Sequence, residues 1–306
     1  MKVLFAGTPS IAVPSLQAVA QTHEVRGVLT APDTRKGRGK KLTPPPVKLA
    51  AQELGIPVIQ HARTGREARE AAAQLQADIL VVYAYGRIFG PKFLSLFPLG
   101  GINVHPSLLP KYRGSSPIPS VILNGEEETG ITIQTLSLEC DAGDIILQRR
   151  FPLSGREHAL ELTDRCALEG ASLLAEALDL MEAGKAAPTP QHHEDATYCR
   201  QIEKEHGRII WESDACSIDR QVRAYIPWPG AYTCFKGMKL TITQAEPIDG
   251  LIDFPPGNVF AKEGGIMVAA GSGALRIKRL QLASRKEMDW ISFLNGNPEI
   301  LGSRLG

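Results

Sequence analysis

Residues 2–21 read KVLFAGTPSIAVPSLQAVAQ. The first five are a short, mostly apolar run rich in β-formers. Gly7-Thr8-Pro9 breaks it, and apolar residues then recur with a helical period from Ser10 to Gln21. That order is strand, turn, helix. Working outward, the same rhythm continues through Glu24–Thr30, a helical stretch Val47–Leu54, Pro57–Ile59, a helix around Arg66–Gln76 and the apolar run Asp78–Tyr83. Strands alternating with helices imply a parallel sheet in an α/β domain. Ile102–His105, Ile118–Leu123, Gly130–Leu138 and Asp144–Leu153 read as further strands, with room for an antiparallel edge.

From His158 to Ala183 the residues Leu160, Leu162, Ala167, Leu173, Leu174, Ala177, Leu178 and Met181 keep helical spacing, the longest such stretch in the chain. This helix is expected to close the first domain. Residues 184–206 carry two prolines, a paired His and many charges with neither period, the composition of a surface linker. Beyond it come five short runs, Ala231–Phe235, Leu240–Glu246, Gly257–Ala261, Ile266–Ala270 and Leu275–Leu282, separated by turn residues. Their spacing predicts a small β-barrel. The division expected is residues 1–184, a linker 185–205, and residues 206–306.

A length of 306 residues fits that division at roughly 100–200 residues per domain. With 43% hydrophobic and 22% charged residues, the composition excludes a disordered chain, a collagen and a disulfide-rich miniprotein. The formal net charge is +1, so an anionic partner must be held by a local cluster rather than by the field of the whole molecule. Five scattered cysteines without C-x-x-C spacing argue against a disulfide framework or a thiolate zinc site and for a reducing cytosol. The N-terminal apolar run is shorter than the core of a signal peptide, and no apolar stretch approaches 18 residues. Neither export nor membrane insertion is expected. His192 and His193 are adjacent, hence divergent in direction, and lack a third ligand at metal spacing.

Gly7 stands where a dinucleotide fingerprint would begin, but the G-x-G-x-x-G pattern is absent, which removes the main support for a nicotinamide cofactor. The densest chemistry is NVHPSLLPKYRG, residues 103–114, directly after an apolar strand. Alternation points Asn103 and His105 to one side, where a side-chain amide and an imidazole can donate to one developing oxyanion. A carboxylate from the turn Glu139–Asp144, Asp141 above all, could pair with His105 and orient its ring. Residues 34–48 (TRKGRGKKLTPPPVK) hold Arg35, Lys36, Arg38, Lys40, Lys41 and Lys48 with no acid among them. A cationic loop containing Gly37 and Gly39 suits a phosphate backbone.

These residues resemble the methionyl-tRNA formyltransferase family. The matching segments are FAGTPSIAVPSL, APDTRKGRGKKLTPPPVK, VVYAYGRI, GGINVHPSLLPKYRGSSPI, ETGITI, CDAGDIIL, RIIW and IPWPGAYT, which span nearly the whole chain. The resemblance implies a Rossmann-like formyltransferase domain followed by a C-terminal OB-like β-barrel. It implies formyl transfer from 10-formyl-tetrahydrofolate to the α-amine of charged initiator tRNA, in the cytoplasm, without a metal or an obligate protein partner. By motif, the catalytic residues correspond to Asn103, His105 and Asp141. Ser107, Leu108, Leu109 and Pro110 fall where the family contacts folate. Arg35, Lys36, Arg38, Lys40 and Lys41 fall in the loop that approaches the acceptor stem. Pro106, Tyr112 and Ser115-Ser116 depart from the usual pattern. A sugar-nucleotide or glycinamide-ribonucleotide formyltransferase would share the Asn, His and Asp but has no need of the basic loop. A non-catalytic RNA-binding protein would not need the intact trio.

Overall fold

A computed structural model of the chain describes residues 1–36, 39, 41–262 and 264–306. The elements are β1 (Lys2–Gly7), α1 (Val13–Thr22), β2 (Glu24–Thr30), β3 (Thr34–Lys36), β4 (Lys41–Thr43), α2 (Pro46–Glu53), β5 (Val58–Gln60), α3 (Arg66–Gln74), β6 (Ile79–Tyr83), α4 (Pro91–Leu94), β7 (Gly101–His105) and β8 (Arg113–Gly114). They continue with α5 (Pro117–Asn124), β9 (Glu128–Thr135), β10 (Ile145–Pro152), α6 (Ala159–Glu182), β11 (Tyr198–Cys199), α7 (Ala215–Ala224), β12 (Ala231–Phe235), β13 (Met238–Ile248), β14 (Val259–Lys262), β15 (Gly265–Ala269), β16 (Ala274–Leu282), β17 (Met288–Asp289) and α8 (Trp290–Gly296). Two compact units result. The first holds Met1–Pro117, Glu128–Pro152 and Thr163–Arg200; the second holds Ile118–Glu127, Leu153–Leu162 and Gln201–Gly306.

The first unit is built on a seven-stranded sheet ordered β10-β9-β7-β6-β1-β2-β5. Strands β5, β2, β1, β6 and β7 run parallel, and β9 and β10 complete the sheet antiparallel. The continuous apolar runs of β1 and β6 are buried along almost their whole length, as central strands covered on both faces require. From β1 the chain winds outward through β2 to β5, then returns to place β6 on the other side of β1. That reversal opens a crevice beyond the carboxyl ends of β1 and β6. One face is filled by a row of rings at four-residue spacing, Tyr85, Phe89, Phe93 and Phe97, with successive centroids 5.3, 4.8 and 6.0 Å apart. At the carboxyl end of β6, the Tyr83 hydroxyl donates to Cys166 O of α6 at 3.2 Å.

The second unit carries an antiparallel sheet ordered β12-β13-β16-β15-β14, with β17 paired to β16. Ile218 and Val222 of α7 and Phe293 of α8 join its buried cluster with Leu240, Ile242, Leu275 and Ile277. Asp214 and Asp289 cap these two helices, accepting from Ser217 N and Ser292 N at 2.8 and 2.9 Å.

Three local readings differ from the sequence-based expectation. Residues 117–124 form a helix, not a strand. Their β-branched composition is strand-like, but Ile118, Val121 and Ile122 recur at helical spacing and are buried. The basic loop contains a hairpin, with Thr34 opposite Thr43, Arg35 opposite Leu42 and Lys36 opposite Lys41. The segment expected to be a loose linker is fastened to the first unit up to Arg200. Thr189 bridges Ile145, β11 pairs with β8, and Gln191 and Cys199 are buried. A stretch without periodicity can still be held by individual hydrogen bonds, which leave no pattern in sequence.

Candidate active site

Strand β7 ends the site's construction from the sheet side. It lies between β6, where Val82 faces Asn103, and β9, where Gln134 faces Asn103 and Thr132 faces His105. Both Asn103 and His105 line one cavity, as their two-residue spacing requires. His105 is buried at 4% exposure. Its Nε2 is 2.8 Å from Tyr112 O, and because a carbonyl only accepts, that nitrogen carries the proton and donates. The other ring nitrogen, Nδ1, is 3.6 Å from Asp141 Oδ1, beyond direct hydrogen-bond reach.

Asp141 is brought in by the turn between β9 and β10, at φ 51°, a left-handed conformation that few non-glycine residues adopt. Its Oδ1 accepts from Gln134 Nε2 at 2.9 Å and Asn103 Nδ2 at 3.3 Å, and its Oδ2 from Gly114 N at 2.9 Å. Asn103, His105 and Asp141 therefore meet as expected. Gln134 joins them unforeseen; the only sequence signal was an amide side chain inside the apolar run of β9. The neighbouring Cys140 Sγ is 3.4 Å from Asp141 Oδ2. Burial, followed by the charge and hydrogen bond of Asp141, pushes that thiol up to about 11.

The cavity, about 520 Å³, lies off the carboxyl ends of β6 and β7. Ile11, Val82, Tyr85, Ile88, Phe89 and Leu136 give it apolar walls, while Asn103, His105 and Asp141 are its polar end. Ser107, Leu108, Leu109 and Pro110 are not among the residues lining it. Ser107 is wholly buried and its hydroxyl donates to Lys111 O at 2.7 Å. Leu109 N donates to Thr132 Oγ1 at 3.2 Å, and Thr132 Oγ1 donates to Ser107 O at 2.7 Å. Their backbone is thus occupied in fixing the loop that carries Tyr112 O to His105. Leu108 and Pro110 remain partly exposed in this loop.

Of the basic residues, Arg35 and Lys41 are exposed on the hairpin and Lys36 belongs to β3. Arg38 and Lys40 lie outside the described residues. Lys48 is paired with Asp33 at 2.8 Å, and that bond, joined by one from Gln60, holds the Asp33 carboxyl below its usual range. Among the described residues no group of three or more His, Cys, Asp or Glu could hold a metal ion, and no helix is long and apolar enough to cross a membrane.

The chain that forms this crevice is similar to known proteins over nearly its whole length. The Formyl transferase family corresponds to residues 1–178, and the Formyl transferase, C-terminal domain family to residues 201–298. The class is therefore formyl transferase. A methionyl-tRNA formyltransferase from Treponema pallidum (strain Nichols) is 42% identical over 317 residues, covering 100% of this chain and 99% of that protein. One from Methylococcus capsulatus is 40% identical over 308 residues, covering all of both. The fold is also that of an N-formyltransferase from Helicobacter canadensis crystallised with folinic acid and dTDP-3-aminofucose, with a TM-score of 0.68 at 22% identity over 94% of this chain and 100% of that one. The chain belongs to the methionyl-tRNA formyltransferase family.

Proposed function

We propose that this protein transfers the formyl group of 10-formyl-tetrahydrofolate to the α-amine of methionyl initiator tRNA. The observation that carries the reading is the convergence of Asn103, His105 and Asp141 at one end of an apolar cavity. The folate co-substrate supplies an activated formyl carbon. The cavity suits it: about 520 Å³ is within the usual range for small-molecule sites, and aromatic and aliphatic walls suit a flat ring system. Contact with folate is assigned to Tyr85–Phe89 and Ser137–Asp141 of that wall, together with the adjoining Ser107, Leu108, Leu109 and Pro110.

With Nε2 of His105 committed to Tyr112 O, Nδ1 is the ring atom left to meet the reacting oxygen. The 3.6 Å gap to Asp141 leaves it accessible to that oxygen or to a water. Asn103 carries two N–H donors and spends one on Asp141. The other stabilises the oxyanion formed as the amine adds to the formyl carbon, joined by a second donor from His105 once Nδ1 also carries a proton. Asp141 orients Asn103 through their hydrogen bond and accepts through water the proton that the amine releases. The departing folate nitrogen is reprotonated as the C–N bond breaks. Walls that exclude bulk water protect the formyl group from hydrolysis.

The antiparallel second unit is read as an OB-like barrel that binds tRNA, and the basic hairpin of the first unit as a tRNA contact in its own right. Residues 1–184 together with the fastened segment to Arg200 carry the chemistry, and residues 206–306 carry tRNA binding. An aminoacyl-tRNA acceptor supports a cytoplasmic location for the reaction. The test is formylation of charged initiator tRNA by 10-formyl-tetrahydrofolate, with glycinamide ribonucleotide and a dTDP-amino sugar as competing acceptors. Transfer to the tRNA alone supports the reading; preference for either small acceptor overturns it.

A further inference from the structure

Behind the Asp141 turn lie two side chains that the proposed chemistry does not use. Arg113, the residue before Gly114, is fully buried, and Gln191, from the segment expected to be a linker, is 5% exposed. Arg113 Nε and Nη2 donate to Gln191 Oε1 at 3.1 and 2.7 Å. An arginine has no acceptor, so the Gln191 oxygen must face it and the amide nitrogen must face the opposite way. Gln191 Nε2 there meets Gly143 O at 2.6 Å, Asp141 O at 3.0 Å and Gln134 Oε1 at 3.2 Å. One amide therefore spans both ends of the turn Asp141–Gly143 and touches Gln134, whose own Nε2 holds the Asp141 carboxylate. The Arg113 cation, with Tyr198 OH at 3.3 Å and Glu139 Oε1 at 3.8 Å, polarises the Gln191 amide and strengthens its donors.

We propose that Gln191, oriented by Arg113, is a positioning residue for Asp141: it clamps the left-handed turn so that the carboxylate stays between Asn103, Gln134 and His105. The inference rests on the catalytic reading of Asp141 given above. Gln191→Glu separates this role from mere stability. Arg113 keeps a two-point acceptor, so the fold is retained, while both donors to the turn are lost. Steady-state formylation of methionyl initiator tRNA should show kcat reduced by about 10- to 100-fold, the scale of a small misplacement in a reacting geometry, with KM for both substrates retained. Amide hydrogen exchange of residues 139–144 should accelerate in the same variant. A wild-type kcat, or a lowered kcat with unchanged exchange, overturns the proposal, the second because it traces the loss to the added charge. Asp141→Asn is measured alongside. If it is impaired and Gln191→Glu is not, the positioning role alone fails; if it keeps wild-type kcat, the reading of Asp141 fails and the inference with it. Should Gln191→Glu not fold, Gln191→Asn, whose amide is one methylene too short to span the turn, is read by the same two measurements.

Discussion

Asn103 and His105 are expected to differ when removed, because their partners differ. Loss of one oxyanion donor costs about 2.7–4 kcal/mol of transition-state stabilisation, or roughly 100- to 1000-fold in kcat, and formylation kinetics of Asn103→Ala and His105→Ala should both show it. Only His105→Ala also strips a buried donor from Tyr112 O. Tyr112 O keeps a weaker donor in Cys199 Sγ at 3.4 Å, so the loss is that of one hydrogen bond, about 0.5–1.5 kcal/mol, and the melting temperature of His105→Ala should fall while that of Asn103→Ala stays near wild type. Equal melting temperatures would contradict the His105–Tyr112 bond. Cys140 offers a second probe at this scale. A thiol raised to about 11 is almost wholly protonated at pH 8, so iodoacetamide should label it far more slowly than an unperturbed thiol, the rate rising with pH toward 11. A neighbouring carboxylate disfavours the thiolate, so Asp141→Asn should accelerate labelling at pH 8; an unchanged rate would mean the two side chains do not interact. Asn103, His105 and Asp141 were legible because strand alternation and a turn carry residue-level signals. Gln134 and Gln191 were not, since a neutral amide has no spacing rule and acquires meaning only from the carbonyls and carboxylate it meets.

At the scale of elements, the turn between β9 and β10 leaves no room for a side chain at Gly143. A Cβ there would stand 1.8 Å from Thr135 O, a backbone atom that can yield only if the turn shifts. Gly143→Ala should therefore cost about 1–3 kcal/mol in stability, the usual penalty of overpacking, and lower kcat as Asp141 moves; denaturant melts and formylation rates test both. The β3–β4 hairpin gives a different prediction. Replacing its exposed Arg35 and Lys41 by alanine should raise KM for tRNA and leave KM for folate unchanged. Each lost phosphate contact should flatten the slope of log affinity against log salt by about 0.7–0.9, and an unaltered slope would reduce the hairpin to a solvated face. The five short runs of the second unit were readable from their even spacing and the turn residues between them. The hairpin was missed although Thr-Arg-Lys and Lys-Leu-Thr flank two glycines in sequence, because the unbroken run of charges and glycines from Arg35 to Lys41 hid the pairing. Helix α5 was misread because branched apolar residues satisfy strand composition and helical spacing at once.

Over the whole molecule, the sequence suggests a boundary near residue 205 from the change of pattern alone. It could not show that Ile118–Glu127 and Leu153–Leu162 cluster with the C-terminal residues, since local periodicity is silent about contacts distant in the chain. A chain ending at Arg200 retains those two segments without the rest of their unit, including Arg220 beside Gly125 and Arg223, which donates to Glu157 O at 2.9 Å. Such a fragment should melt at a lower temperature than the full chain and bind a hydrophobic dye; a fragment as stable as the whole would show that the segments need no partners. The bonds from Gln191 back to Asp141 and Gly143 cross 50 and 48 residues. On a ribosome adding roughly 5–20 residues per second, about 2.5–10 s separate the synthesis of Asp141 from that of Gln191. All seven strands of the principal sheet have been made by Pro152, well before that amide exists. On the positioning role proposed for Gln191, every strand of the scaffold is synthesised before the residue that fixes the Asp141 turn, and the interval between them is set by translation speed.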